Sequence, residues 1–384
     1  MTSLFDPITL RGVTVRNRIW VPALCQYSSL ACDGMPTDWH LAHLGSFAMG
    51  GAGLVMAEAT AVVPEGRISP HDTGIWNDEQ VVGWRRVVDF VHAQGAVVGL
   101  QLAHAGRKAS VYPEWGFEQK GSIPLDAAAD IDPGRGWQTV SASELAFEGY
   151  RAPRALATDE LPAVVAAFAA AARRATAQDG SGAGFDLVEL HAAHGYLLHQ
   201  FLSPLANRRA DAYGGPLEHR MRFPLEVFEA VRAAVPATMP VWVRVSATDW
   251  VDGGWAVDDT ITFVRALRER GCAAVHVSSG GISPGQKIPL GPGYQLPLAR
   301  ALKQAVGLPT IGVGLITEPA QAEAAIVDGD ADAVALARAM LYDPRWPWHA
   351  AAALGARVSA PPQYWRAAPR AHKDLFADAA FGQR

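Results

Sequence analysis

Eight short apolar runs, rich in β-branched residues, recur along the chain and constrain its fold more than any other feature. Their apolar character is nearly continuous rather than alternating, which is typical of parallel strands covered on both faces. Segments with helical periodicity separate them. The predicted strands are residues 18–24, 52–57, 96–102, 185–190, 240–245, 273–277, 309–313 and 333–336, and the predicted helices are 78–93, 159–178, 218–235, 258–270, 296–306 and 318–327.

Eight strand–helix units predict an α/β fold of the (β/α)8 TIM-barrel type, with residues 1–384 as one domain. A doubly wound sheet is the alternative. Its dinucleotide-binding version needs a glycine-rich turn after the first strand, and residues 22–25 provide none. Two long connections, 112–158 and 280–295, follow predicted strands. We expect both at the catalytic face, where the loops that follow barrel strands meet.

Composition and charge exclude several classes of protein. The net charge is -5, so the chain lacks the basic surface of a nucleic-acid-binding protein. No apolar run reaches the roughly 18 residues of a membrane span, residues 1–7 lack a signal-peptide pattern, and three cysteines do not make a disulfide framework. We expect a cytoplasmic protein without nucleic-acid or membrane partners.

Charged residues make up 18% of the chain, against roughly 25% in an average globular protein, which indicates extensive burial. The C-terminal tail, residues 359–384, is aromatic and basic. We expect this tail to lie at the subunit interface of a homodimer or homotetramer.

Barrel chemistry takes place at the carboxyl ends of the strands, so polar residues there are candidates for a site. The turns after the last two strands hold Gly314 and then Ala337 and Arg338. Such turns commonly bind a phosphate through backbone N–H groups, and Arg338 would add a charge-assisted contact. The alternative is an ordinary turn glycine beside a surface arginine.

Two histidines and a tyrosine follow the fourth predicted strand: His191, His194 and Tyr196. A metal site would need a third ligand, and we expect Glu189 to point away from His191, so we predict no metal. Two imidazoles could instead donate hydrogen bonds to one carbonyl oxygen or oxyanion, with the Tyr196 phenol as a proton donor. The alternative is that one or both histidines are satisfied core residues.

Arg244 lies within the fifth predicted strand, where a buried cation needs a partner. A carboxylate, Glu58 or Glu189, would provide one, and so would an anion that develops on a cofactor. Cys25, at the end of the first strand, is read equally well as an ordinary buried thiol.

Taken together, these residues resemble the Old Yellow Enzyme family of FMN-dependent ene-reductases, in particular its bacterial xenobiotic-reductase or thermophilic-like branch. The resemblance covers nearly the whole chain. Its most specific stretch runs from Gln200 to Pro204 and continues through residues 207–209 and 211–215. The other matching segments are residues 4–7, 17–19, 22–27, 38–40, 101–108, 189–196, 243–246 and 312–316.

The resemblance implies an FMN held non-covalently across the mouth of the barrel. It also implies NADPH (or NADH) as the hydride donor and a small α,β-unsaturated ketone or aldehyde that accepts hydride at its β carbon. Cys25 would tune the redox potential of the flavin. The positions that match the cofactor site of the family are Pro22, Ala23, Leu24, Cys25, Ala59, Gln101, Arg244, Gly314, Ala337 and Arg338.

At the substrate, the resemblance places His191 and His194 on the carbonyl oxygen, with Tyr196 as the proton donor to the α carbon. Tyr27 would line the substrate site. In this branch a C-terminal aromatic residue of a neighbouring subunit reaches the active site, and Trp365 stands at the matching place. Catalytic roles therefore fall to Tyr196, His191, His194 and Cys25.

Two other functions stay open at this point. A related flavin barrel reductase would act on another activated alkene or a nitro compound. A dienoyl-CoA reductase module of that kind usually adds an iron–sulfur cysteine cluster and a further nucleotide-binding domain, which three scattered cysteines in this chain do not indicate. A cofactor-free barrel lyase or binding protein is the other alternative, and a preparation without a flavin spectrum would favour it.

Overall fold

A computed structural model of the protein describes residues 2–126, 136–177 and 179–380. Three predicted segments extend beyond these ranges, namely the end of the second predicted helix at Gln178, part of the 112–158 connection and the end of the tail. The strands are β1 (Ile8–Leu10), β2 (Val13–Val15), β3 (Ile19–Val21), β4 (Leu54–Ala61), β5 (Val97–Ala103), β6 (Val140–Ser141), β7 (Arg154–Ala155), β8 (Leu187–Ala192), β9 (Val241–Ser246), β10 (Val275–Ser278), β11 (Thr310–Gly312) and β12 (Ala333–Ala335).

All eight predicted strands are present and form a closed barrel in the order β3-β4-β5-β8-β9-β10-β11-β12. Each pairs in parallel with its neighbours, and β12 closes the barrel against β3. The prediction of a TIM barrel is confirmed, and the doubly wound alternative is wrong. The near-continuous apolar character of the runs has the expected cause, since most of these strands are buried along their whole length.

The helices are α1 (Asp38–Met49), α2 (Asp78–Ala93), α3 (Leu161–Thr176), α4 (Leu197–Leu202), α5 (Leu217–Ala234), α6 (Val257–Glu269), α7 (Leu296–Val306), α8 (Pro319–Val327), α9 (Arg338–Tyr342) and α10 (Trp346–Leu354). The six predicted helices correspond to α2, α3 and α5 to α8. Among the described residues, no helix has both the length and the apolar character that a membrane span requires.

The amino-terminal part of the barrel is filled by packed aromatic side chains. Trp20 of β3 and Trp242 of β9 stack inside it with ring centroids 5.7 Å apart. The antiparallel pair β1 and β2 lies nearby, with Gly12 N donating to Thr238 O at 2.8 Å in the connection that precedes β9. The opposite, carboxyl end therefore remains as the place for a site.

The two long connections meet at that carboxyl end, as predicted. The 112–158 connection contains the short pair β6 and β7. Arg107 joins the two connections, because its guanidinium donates to Leu145 O (3.1 Å) in the first and to Ile282 O (2.7 Å) in the second.

The C-terminal tail packs on its own chain at least in part. Leu375 and Phe376 are buried against Trp348 of α10, and Val358 N donates to Leu375 O at 2.9 Å. Placement of the remaining tail at a subunit interface stays a prediction.

Candidate active site

A cavity of about 290 Å³ opens at the carboxyl ends of the strands from β9 to β12. Four of the residues predicted to contact a cofactor line it, namely Arg244, Gly314, Ala337 and Arg338. The cavity is also lined by Ser278, Tyr294 and Gln295, which were not predicted as site residues. The last two lie in the 280–295 connection, which the sequence marked as functional only by its length.

The turn after β11 approaches the cavity with its backbone. Gly314 has a φ of +121°, and a Cβ there would lie 3.1 Å from Gln295 Nε2 and 3.2 Å from Tyr294 Cδ1. Only glycine takes this conformation without strain and leaves the backbone open to a ligand. Gly314 is therefore both a turn glycine and a residue whose backbone is open to a ligand.

Arg244 is buried at the cavity, with 8% of its surface exposed. Its Nε has no hydrogen-bond partner among the described residues. Burial lowers the pKa of the guanidinium, and the nearby charge of Glu189 works in the opposite direction. Of the two carboxylates considered for Arg244, Glu189 is therefore the one that acts on it most, whereas Glu58 lies 3.5 Å from His40 Nε2.

Glu189 points into the barrel, on the same strand face as His191. The expectation that the two point apart is wrong, because residues two apart in a strand share a face. Glu189 Oε1 accepts a hydrogen bond from Gln101 Nε2 (2.6 Å), and Oε2 accepts one from Trp242 Nε1 (2.7 Å). His276 Nδ1 also lies 2.7 Å from Oε2. Burial alone would raise the pKa of Glu189, but His276, Arg244 and Trp242 together lower it to about 2.

Gln101 is thereby fixed in orientation. Its amide nitrogen donates to Glu189 Oε1 at 2.6 Å, which leaves its amide oxygen as an acceptor outside this contact. Ala59, on the neighbouring strand β4, is buried just after a register irregularity between Ala57 and Ala59.

The turn after β3 brings Pro22, Ala23, Leu24 and Cys25 to the mouth, where Pro22 is buried and the other three are partly exposed. Burial and the negative charges of Asp72 and Glu58 raise the pKa of Cys25, so its thiol is protonated at neutral pH. Tyr27 takes a φ of +49°, and its ring packs edge-on against Trp115 of the long connection at 4.9 Å.

The rings of His191 and His194 meet edge to face with centroids 5.0 Å apart, and His191 is paired in register with Arg244 of β9. His194 Nδ1 is 3.3 Å from His191 Nε2, and Ser278 Oγ is 2.7 Å from the other nitrogen of His194. Burial and then the charge of Arg244 lower the pKa of both imidazoles well below 6.5, so both are neutral at pH 7. His191 Nδ1 accepts from Ala193 N, which leaves its proton on the nitrogen that faces His194.

Tyr196 completes the group, with its ring 4.8 Å from that of His191. Burial, the largest cause, raises the pKa of its phenol well above 10. The phenol is therefore protonated at neutral pH, as a proton donor must be. In the described part of the chain, no group of three or more possible metal ligands includes these residues.

Lys108 was not assigned a role in the sequence, although it directly follows the third predicted strand. Its Nζ donates to His194 O (2.9 Å) and Gly281 O (3.2 Å) and lies 5.2 Å from the centroid of the Tyr196 ring. Burial lowers the pKa of this ammonium to about 8, and Arg107 adds to the effect.

Trp365 packs in its own chain with the cluster around Trp348, and its indole N–H donates to Ala360 O at 3.0 Å. The site of the same chain, formed by His191, Tyr196 and Arg244, is built without it. Its predicted placement in the site of a neighbouring subunit stays a prediction.

Comparison with known proteins gives this geometry a family. Residues 3–356 match the NADH:flavin oxidoreductase / NADH oxidase family. The chain is 42% identical over 366 residues to the NADPH dehydrogenase of Geobacillus thermodenitrificans, which covers 95% of this chain and 98% of that protein. The chain belongs to the Old Yellow Enzyme family. It is also 42% identical over 368 residues to the NADPH dehydrogenase of Listeria innocua, covering 96% of this chain and 99% of the relative.

Solved structures of this family are similar over nearly the whole chain. Morphinone reductase aligns with a TM-score of 0.74 at 31% identity, over 94% of this chain and 91% of that chain. The Old Yellow Enzyme homologue from Zymomonas mobilis aligns with a TM-score of 0.73 at 27% identity, over 94% of each chain. A 2-naphthoyl-CoA reductase aligns with a TM-score of 0.79 at 25% identity, over 92% of this chain but only 52% of that one.

The protein is therefore an NAD(P)H-dependent flavin oxidoreductase that uses FMN, and the cofactor-free alternative is not supported. The cavity residues fit such a group. Arg244 holds a buried donor, Nε, without a partner among the described residues, and the open backbone at Gly314 with the Arg338 guanidinium suits a phosphate.

Proposed function

We propose that this member of the Old Yellow Enzyme family is an ene-reductase that reduces the C=C bond of a small α,β-unsaturated ketone or aldehyde. The observation that carries the proposal is the pair of neutral imidazoles whose nitrogens lie 3.3 Å apart, with the ring of a protonated phenol 4.8 Å from that of His191. A carbonyl oxygen to one side of this pair, about 3 Å from both nitrogens, accepts from each when Ser278 Oγ donates to His194 Nε2 and leaves the His194 proton on Nδ1. The phenol then stands beside the reacting carbons.

We propose that Arg244 and Gln101 hold the flavin ring, and that Gly314, Ala337 and Arg338 hold the phosphate. Pro22, Ala23, Leu24, Cys25 and Ala59 would line the ring at the turn after β3 and on β4. Bound FMN supplies the chemistry that side chains lack, namely transfer of hydride from NADPH or NADH to the β carbon of the substrate.

His191 and His194 bind the carbonyl oxygen as neutral donors. As hydride reaches the β carbon, negative charge develops on this oxygen, and hydrogen bonds to it strengthen in the transition state more than in the ground state. The donors are positioned before the reaction by strand β8 and the turn after it, so little reorganisation is needed at that moment.

Tyr196 delivers the proton to the α carbon. Both imidazoles are neutral and donate hydrogen bonds to the oxygen, so the phenol is the group at this turn with an acidic proton to give. The Lys108 ammonium, 5.2 Å from the ring centroid, favours the phenolate that remains. Tyr27 lines the same space from the opposite turn.

The two half-reactions, measured separately in a stopped-flow instrument, test this assignment. NADPH first reduces the FMN-loaded protein without oxygen, and 2-cyclohexen-1-one then reoxidises it. We expect Tyr196→Phe to slow reoxidation by about 10²-fold while reduction by NADPH stays near the wild-type rate. Equal slowing of both steps would refute the proton-donor role, and a wild type that no enone reoxidises would refute the proposed function.

We also propose that residues 1–384 form one domain and that the protein acts in the cytoplasm as a homodimer or homotetramer. Cys25 and Cys272 are free thiols, which suits a reducing compartment. Residues 359–384 would contribute to the interface, with Trp365 next to the substrate site of a neighbouring subunit.

A further inference from the structure

The turn that carries the catalytic residues is strained. Tyr196 N donates to Ala193 O at 3.1 Å, which closes a tight turn over residues 193–196. Both central residues have positive φ, +57° at His194 and +76° at Gly195. Histidine pays a steric penalty in this left-handed region, and such a conformation persists only where the surroundings fix it.

Four side chains hold the peptide groups of this turn. His194 N donates to Ser246 Oγ (3.0 Å), and His194 O accepts from Lys108 Nζ (2.9 Å). Gly195 N donates to His199 Nδ1 (3.0 Å), and Gly195 O accepts from Gln200 Nε2 (2.6 Å). Gly195 cannot be replaced, since a Cβ there would lie 2.2 Å from Gly281 O.

His199 differs from the other three because it is backed by a carboxylate in the core. His199 and Asp249 are both fully buried, and His199 Nε2 lies 2.9 Å from Asp249 Oδ1. The other carboxylate oxygen accepts from Ser203 Oγ (2.6 Å) and Trp255 N (2.7 Å), which fixes the orientation of the carboxylate.

The protonation pattern of this pair follows from its neighbours. A backbone N–H can only donate, so His199 Nδ1 must accept from Gly195, and the ring proton lies on Nε2 towards Asp249. With the opposite tautomer, a ring N–H would face the Gly195 N–H, and the turn would lose this contact. The negative charge of Asp249, 2.9 Å from Nε2, favours a proton on that nitrogen and therefore the tautomer that the turn requires.

We propose that His199, oriented by Asp249, is a positioning residue that holds the strained turn so that His194 and Tyr196 reach the substrate. This role rests on the proposed function, because it concerns the residues that bind and protonate the substrate. His199 itself is separated from that space by the turn and touches Gly195 rather than the reacting atoms.

Two substitutions separate this role from ordinary core packing. The Oδ1 atom of asparagine stands near the position of Nδ1, so His199→Asn keeps an acceptor for Gly195 N. The polar end of glutamine stands near the position of Nε2, so His199→Gln keeps a contact with Asp249 and removes the acceptor. Asparagine is one methylene shorter than glutamine, so His199→Asn leaves the larger packing defect and yet is the variant that preserves the contact with the turn.

The measurement is the dissociation constant of p-chlorophenol, a probe of the two histidines, read from the visible spectrum of the FMN-loaded protein. We expect His199→Gln to weaken binding about tenfold and His199→Asn to stay within about threefold of wild type. The rate of reoxidation by 2-cyclohexen-1-one should fall with His199→Gln in the same proportion. Thermal unfolding and FMN content serve to show that the two variants are equally folded.

His92→Gln is the matched control, because His92 Nε2 also lies 2.8 Å from a carboxylate, that of Asp186, at the end of α2 away from the site. It should leave phenol binding unchanged. Equal affinities in the two His199 variants would overturn the positioning role.

Asp249→Asn carries the test if His199→Gln does not fold. Its amide nitrogen would oppose the ring proton on Nε2 and favour the wrong tautomer, so phenol binding should again weaken about tenfold. Unchanged affinity in Asp249→Asn would overturn the proposal. A wild type that binds p-chlorophenol but reduces no enone would refute the proposed function alone, because the positioning test reads affinity.

Discussion

Replacement of Glu189 by glutamine should destabilise the protein by an amount that depends on pH. The carboxylate is fully buried, accepts from Gln101 and Trp242, contacts His276 and faces the positive charge of Arg244. A glutamine side chain offers one acceptor oxygen and an amide that would oppose one set of donors. It also leaves the Arg244 guanidinium without a compensating charge.

The magnitude follows from the pKa of Glu189, which is lowered from 4.5 to about 2 although burial alone would raise it. This difference corresponds to about 3 kcal/mol in favour of the ionised form. His276 is the largest of the causes that lower this pKa, and since burial and Arg244 lower the pKa of His276 itself, it acts as a neutral donor and contributes only part of this difference. We therefore expect a loss of about 2 to 3 kcal/mol in the free energy of unfolding at pH 7.

The sign of the pH dependence is fixed because the pKa is lower in the folded protein. The carboxylate stabilises the wild type fully above pH 4.5, the value of an unperturbed glutamate, and this contribution is lost as the pH falls towards about 2. The glutamine variant has no such contribution to lose. The difference between the two proteins should therefore narrow by about 1 kcal/mol between pH 7 and pH 3.5.

Urea unfolding followed by tryptophan fluorescence, with the same excess of FMN at each pH, measures this difference. The control is Glu229→Gln, in which the lost partner is Arg270 on the surface, and its effect should stay below about 0.5 kcal/mol at every pH. A Glu189→Gln effect as small as that of the control at pH 7 would refute the ionised state of Glu189. A larger effect that does not change with pH would refute it as well.

Three further predictions concern the proposed site. The double variant His191→Ala with His194→Ala should weaken p-chlorophenol binding by about 10²-fold with unchanged FMN content, and unchanged affinity would remove both residues from the carbonyl site. Arg244→Lys keeps the charge but loses the unpartnered Nε donor, so the dissociation constant of FMN, measured by flavin fluorescence, should rise about tenfold or more, and an unaltered value would contradict the assignment. Trp365→Ala should raise the KM for 2-cyclohexen-1-one, and light scattering should give the wild type the mass of a homodimer or homotetramer. A monomeric wild type together with an unchanged KM in the variant would refute a role for the tail.

The barrel could be predicted because each strand carries its own signal. A strand buried on both faces must be apolar along its length, and eight such runs alternating with amphipathic helices leave few other topologies. Helix α1 was missed because its sequence gives little contrast between faces, with His40 buried alongside Leu44 and Phe47. Helices α4 and α9 are too short for a periodic pattern, so only their position after a strand could indicate them.

The residues of the site could be predicted from the sequence, but the contacts between them could not. His191 lies near the end of β8, and His194 and Tyr196 lie in the turn that follows, so their closeness follows from a span of six residues. Ser278 reaches His194 from the end of β10 and Lys108 from the turn after β5, across 84 and 86 positions of the chain, and sequence spacing holds no information about such pairs. The error at Glu189 is different in kind, since the two-residue repeat of a strand already places it on the His191 face.

Two neighbouring residues on the inward face of β8 are held in different charge states. Glu189 and His191 are two positions apart on one strand, yet the first is held ionised and the second neutral. Arg244 contributes to both states, because its positive charge lowers the pKa of the carboxyl and of the imidazole alike. The carboxylate of Glu189 therefore balances the buried charge of Arg244, and the same charge helps to keep the imidazoles of His191 and His194 neutral. In the proposed reaction the proton for the substrate comes from a group that burial keeps protonated, and Tyr196, in the turn after β8, is such a group.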